Sequence, residues 1–218
     1  AQRRRGELGP LADFRTREKL LTLFSALQPS HAVLLGDLVH APRPCPEERA
    51  WIEATLLELS RQAVLTAVRG NHDRAFAREF GHLPIAQSEY WSNDLVTAVH
   101  GDRLEVAPVA ENRTLVVGHL HPCLGIRDAS GASQKLPVFL VNKSCVVLPA
   151  FSPFARGYDI SCGIPEDLAQ CFRDEPVEAY AATRTRVARL GPLRYAVERM
   201  WEADVSAPAQ FRRGAAAK

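Results

Sequence analysis

One aspartate, one asparagine and a set of histidines stand in four short strings: Gly36-Asp37-Leu38-Val39-His40, Gly70-Asn71-His72-Asp73, His100-Gly101-Asp102 and Gly118-His119-Leu120-His121. Each string follows a short apolar run that reads as a β-strand. A carboxylate, an amide oxygen and several imidazoles on the rim of a sheet make a metal-ligand inventory of the kind that cleaves phosphoesters. Two divalent ions roughly 3.5–4 Å apart can share a carboxylate, neutralise phosphoryl oxygens and orient an in-line attack. Asp37 is the natural bridge, Asn71, His100 and His119 complete one metal position, and His121 serves the other. Oxygen and imidazole donors without thiolate suit manganese, iron or zinc better than calcium. His72 is left over from ligation and is placed to protonate a departing oxygen, with Asp73 able to hold its tautomer. Arg69 and Arg74 flank this loop and can grip phosphate oxygens in a fork. His40 either lines the site or only occupies its loop.

Taken singly, each string has a plainer reading. Gly-Asp after a strand is a common turn, and Asn and Asp satisfy local backbone groups at turns and helix caps. His119 and His121 are two apart, so on a regular strand they would face opposite sides; only a bent loop brings both to one pair of ions. Their joint occurrence, in order and after strands, is what favours the metal reading. His31 and His82 have no such neighbours and are read as structural, and Cys123 as a small buried thiol.

The elements that must position these groups follow from periodicity. Asp13 to Leu27 has helical spacing, and Ala32-Val33-Leu34-Leu35 reads as a strand buried on both faces. Pro46 opens a second helix, and Ala63 to Val68 is the next strand. In such a βαβ unit the strands are parallel and their following loops open on one edge, so Asp37 and Asn71 can meet. Shorter strands follow at Leu95 to Val99, Thr114 to Val117, Pro137 to Val141 and Cys145 to Leu148, a more antiparallel pattern. Asp128 to Ser133 is a polar turn. Beyond Ser161 the sequence predicts helices over Pro165 to Cys171 and Val177 to Leu190, a last strand over Leu193 to Val197, and a disordered tail from Ala207 to Lys218.

At 218 residues, the chain suits one α/β domain with an appendage: residues 1–160 and a C-terminal extension, 161–218. A formal net charge of +2 does not by itself announce a nucleic-acid binder, and the basic cluster Arg3, Arg4, Arg5 reads first as a solvated face. Five cysteines without CxxC spacing predict reduced thiols in a cytoplasmic setting. No stretch approaches the about 20 apolar residues of a membrane span.

The series GDLVH, GNHD, H and GHLH resembles the calcineurin-like metallophosphoesterase superfamily over about residues 32 to 121. The resemblance implies a four-layer αββα sandwich with a dinuclear centre at its strand ends. Val68-Arg69-Gly70-Asn71-His72-Asp73-Arg74, Gly118-His119-Leu120-His121-Pro122-Cys123 and Leu148-Pro149-Ala150-Phe151-Ser152-Pro153-Phe154 are similar, more narrowly, to the bacterial ligase-associated DNA-damage-response metallophosphoesterases. That implies a manganese-favouring phosphodiesterase or endonuclease acting on DNA beside a DNA ligase and a helicase. The superfamily pattern opens with a strand carrying Asp-x-His, and no such string stands before Asp13. The expectation is a sandwich lacking its first strand, with those two ligands N-terminal to Ala1. A phosphomonoesterase or nucleotide hydrolase of the same fold, and a non-catalytic scaffold, are the alternatives.

Overall fold

Pro46 at the first helical position, with Glu47 and Glu48 in the first turn, starts helix α2 (Pro46–Ser60) where the sequence places it. The computed structural model describes residues 11–39, 43–108, 112–127, 133–153, 155, 157–173, 175–183 and 186–197. The Arg3 to Arg5 cluster, His40, most of the turn at Asp128 to Ser133 and the tail from Ala207 lie outside the described residues. By contacts the chain divides into two units, residues 1–119 with 151–155, and residues 120–150 with 156–218.

In the first unit, helix α1 (Leu11–Leu27) and α2 flank strand β1 (His31–Leu35) in sequence. β1 pairs in parallel with β2 (Val64–Val68), which pairs in parallel with β3 (Ala86–Ser88). β2 is central and buried along all but its first residue, as its largely apolar run, broken only by Thr66, requires. Phe24 of α1, Leu56 and Leu59 of α2, Leu65 and Ala67 of β2, and Phe76 and Phe80 of the short helix α3 (Phe76–Phe80) form one core cluster. Arg17 stacks on Trp51 and pairs with Glu58, which fastens α1 to α2. A second set follows: β4 (Tyr90–Ser92) runs antiparallel to β5 (Val96–Val99), and β5 runs parallel to β6 (Thr114–Val117). The architecture is α/β, with sheets flanked by helices.

In the second unit the long strand β8 (Ser133–Val141) is the organiser. It pairs antiparallel with β7 (Pro122–Arg127), with β9 (Cys145–Val147) and with β11 (Glu178–Ala182). β10 (Tyr158–Asp159) joins β7 in parallel, and α4 (Glu166–Ala169) runs into a 3-10 turn, Gln170–Phe172, within the helix predicted there.

Two expectations are corrected. Val177 to Leu190 is not a helix but a hairpin of β11 and β12 (Val187–Pro192), closed by Thr183, whose amide donates to the Arg186 carbonyl at 3.0 Å. The alanines that favour helix locally sit at period two: Ala179 and Ala181 are buried while Glu178, Tyr180 and Ala182 are half-buried. Pairing with Val138 to Val141 of β8 outweighs intrinsic propensity. The predicted strand over Leu193 to Val197 is instead helical over 193–197, after Gly191-Pro192 ends β12. The C-terminal extension is therefore only partly helical, and its hairpin widens the sheet of the second unit. Among the described residues no helix is long and apolar enough to cross a membrane.

Candidate metal centre

The parallel register sets Leu35 opposite Val68 and Val99 opposite Val117. Asp37 and Asn71 thus leave the sheet at one end, and His100 and His119 leave the second set together. Each departure needs a sharp turn. Gly36 and Asp37 both take left-handed backbone (φ 82° and 55°), as do His119 (57°) and His121 (52°). Non-glycine residues hold this conformation only where their surroundings over-determine it, and such strain concentrates at functional sites. The backbone is thus bent at both His119 and His121 rather than running as a regular strand.

Asp73 supplies much of the restraint. Its buried carboxylate accepts hydrogen bonds from the amides of Asp37 (2.7 Å), Val39 (3.0 Å) and Gly70 (3.0 Å), so one side chain ties the two loops together. Burial raises its pKa, against the lowering effect of those amides. Asp73 is expected to hold the tautomer of His72, and its three amide bonds also position the Asp37 and Gly70 loops.

The His72 amide donates to Asp37 Oδ1 at 3.0 Å. His100 is 1% exposed, and its Nδ1 donates to the Leu35 carbonyl at 2.8 Å. Because a carbonyl can only accept, this bond places a proton on Nδ1 and leaves Nε2 as the atom a cation could take. That Nε2 lies 3.4 Å from Asp37 Oδ1 and 3.2 Å from His119 Nδ1. Donor atoms of Asp37, His100 and His119 fall within 4.8 Å of one another. A carboxylate and two imidazole nitrogens converging on one point present lone pairs that a cation satisfies, so the residues fit a divalent metal.

The remaining predicted residues are distributed as follows. Asn71 is exposed on the loop between Gly70 and His72, both of which touch Asp37, while the His72 side chain is exposed. Arg69 is exposed and pairs with Glu89 at 3.1 Å, and Arg74 is exposed on the 3-10 turn Asp73–Ala75. His121 belongs to the second unit and is half-buried. His31 bonds Thr66 at 2.9 Å and His82 pairs with Glu53 at 3.0 Å, both structural roles. The sequence reading missed Glu89 and Arg103. Glu89 pairs with Arg103 as well as Arg69, which holds two guanidinium groups side by side next to the Gly70 and His100 loops. Arg103 lies three positions past His100, a proximity visible in the string but not weighed.

Burial alone pushes the Asp37 carboxyl up, yet the hydrogen bond to His100, the His72 amide and the charge of both imidazoles hold it at about 2. For His100, burial lowers the pKa but the bonds to Asp37 and Leu35 and the charge of Asp102 outweigh it, and the result is raised. In the metal-free protein the Asp37 contribution to stability is thus present above pH 3.8 and is lost as pH falls toward 2. The His100 contribution is present below pH 6.5 and is lost as pH rises through its folded value. The stability difference between wild type and Asp37→Asn should therefore be greatest between those limits and shrink on both sides. Thermal melts in chelator across pH check this, and a difference independent of pH would contradict the pairing.

Residues 12–148 match the family described as Calcineurin-like phosphoesterase. Among solved structures, that of Pseudomonas putida nuclease MPE is similar, with a TM-score of 0.63 and 23% identity over 84% of this chain and 81% of that chain. No curated protein matches the sequence.

Proposed function

Since this chain belongs to the calcineurin-like phosphoesterase family, we propose that it is a phosphodiesterase acting on DNA, an endonuclease of ligase-associated repair. In this reading residues 1–160 are the phosphoesterase domain, manganese is the favoured ion, and the enzyme works in the cytoplasm beside a DNA ligase and a helicase. At the coarser level, the protein is a metal-dependent phosphoester hydrolase. The observation that carries the reading is the convergence of Asp37, His100 and His119 on strained loops at strand ends. The match to a protein named as a nuclease supports a nucleic acid as substrate, and the narrower likeness of the motifs supports DNA.

In this reading Asp37, Asn71, His100 and His119 hold one divalent ion, and His121 is a ligand of a second. Bound ions supply positive charge against the phosphoryl oxygens and activate water for attack. The protein does the rest. His72, exposed beside Asp37, hands a proton to the departing oxygen. Arg69 and Arg74 hold phosphate oxygens. Asp73 keeps the two loops in register.

Comparison of bis-p-nitrophenyl phosphate, p-nitrophenyl phosphate and a DNA duplex with manganese tests the proposal. Diester and DNA cleavage should exceed monoester cleavage, and the reverse preference would sink the diesterase reading. His72→Ala should lower turnover about 10²- to 10⁴-fold, the usual worth of a general acid, with metal content unchanged. Metal loss in that variant would remove the general-acid role.

Arg103 gives a further expectation. It shares the Glu89 carboxylate with Arg69, and in this reading the two guanidinium groups take a phosphate beside the one being cleaved. Arg103→Ala should weaken DNA binding about tenfold, in line with one lost charged hydrogen bond, and lower the salt slope by about 1. Cleavage of the small diester should be unaffected, and equal losses on both substrates would assign Arg103 to the fold instead.

A further inference from the structure

Apart from the Asp37, His100 and His119 cluster, two cysteines of the second unit meet. Cys145 opens β9 and is fully buried, while Cys171 lies on the Gln170–Phe172 turn and is partly exposed. They are 26 positions apart, yet the segments that carry them are bound together. The Asn142 side-chain Nδ2 donates to the Phe172 carbonyl at 2.8 Å, and the Ser144 hydroxyl donates to the Cys171 carbonyl at 3.2 Å. On the β9 side, Asn142 Oδ1 accepts from the amides of Ser144 (3.0 Å) and Cys145 (2.8 Å), so the turn that presents Cys145 is itself fixed. The two thiols face each other, and the Cys171 thiol also donates to the Asp167 carbonyl at 3.9 Å. Cys45 and Cys162 are exposed, and Cys123 is buried beside Gly157.

We propose that Cys145 and Cys171 form a dithiol site that a hydroperoxide converts to a disulfide, joining β9 to the turn after α4. The two cysteines have unequal roles. The contact with Cys145 lowers the Cys171 pKa, whereas the same contact and burial push Cys145 up, so Cys171 is the more readily ionised of the two. Cys171 is also the one that solvent reaches. Its thiolate attacks one peroxide oxygen, the O–O bond breaks, and Cys171 becomes a sulfenic acid as hydroxide departs. The Cys145 sulfur then attacks the Cys171 sulfur, the S–O bond breaks, and water leaves with the Cys145 proton. Two thiols are oxidised by two electrons and one peroxide is reduced. The resulting bond staples a strand of the β8 sheet to the segment that leads into β11. None of this depends on the phosphoesterase reading.

The test uses the full chain, reduced and then exposed to hydrogen peroxide. Intact mass should fall by two hydrogens, and a peptide map should show one crosslink, between Cys145 and Cys171, reversible by dithiothreitol. Cys145→Ala should trap Cys171 as a dimedone-reactive sulfenic acid that goes on to sulfinic acid. Cys171→Ala should show no crosslink and leave Cys145 unoxidised under the same exposure. A crosslink through Cys45 or Cys162, or sulfinic acid at Cys171 of the wild type without a crosslink, would overturn the proposal. The wild-type map alone decides the matter even if a variant fails to fold.

Discussion

Asp37→Ala should reduce metal-dependent diester hydrolysis by about three orders of magnitude, because several kcal/mol of charge stabilisation are lost with the ions and each 1.36 kcal/mol is tenfold in rate. It should also strip metal from the protein, since the carboxylate is the only acidic donor in the Asp37, His100 and His119 cluster. The side chain is engaged on two sides, by the His72 amide at 3.0 Å and by His100 Nε2 at 3.4 Å. Removing it therefore unties the His72 loop from the His100 imidazole as well. Metal analysis after dialysis, alongside diester kinetics and a thermal melt, separates loss of the ions from loss of the fold. Full metal content in a folded, inactive variant would show that Asp37 is not a ligand.

Gly36→Ala should destabilise the metal-free protein by about 2–4 kcal/mol, combining left-handed strain with overpacking. For a chain of this size that is a drop of roughly 4–16 °C in Tm. Gly36 has φ 82°, and a Cβ there would lie 2.3 Å from His100 Nδ1, the atom that donates to Leu35. A methyl group cannot fit without turning the imidazole and breaking that bond, so metal affinity should fall too. Gly70→Ala makes the parallel case without the strain: its Cβ would come within 2.4 Å of Asp37 Oδ1. Calorimetry in chelator and a metal titration read the two effects, and an unchanged Tm in Gly36→Ala would mean that the imidazole moves freely.

Much of this site was legible because its signals are local. Apolar runs ending at Leu35, Val68, Val99 and Val117 marked the strands, and parallel pairing of β1 with β2 followed from the helix between them. The ligand strings stood out by residue type. The glycines of those strings read only as turns, whereas the folded chain shows them as space for the His100 ring and the Asp37 carboxylate. Nor could spacing reveal that Asp73 binds three amides, or that Glu89 joins Arg69 to Arg103, because those contacts depend on tertiary approach. The hairpin after residue 177 was missed for the opposite reason. Its alanines announce helix locally, and the β8 edge that overrides them lies some 40 positions upstream.

That hairpin also bears on how the chain keeps to itself. Val138 and Leu140 on β8 are fully buried, and β11 covers the backbone of Val138 to Val141. A polypeptide ending at residue 160 would keep the four ligand strings but leave this hydrophobic edge unclothed. Bare edges recruit strands from other molecules. The segment with no recognised motif thus covers that edge, and a chain cut at residue 160 should associate more readily than the full chain.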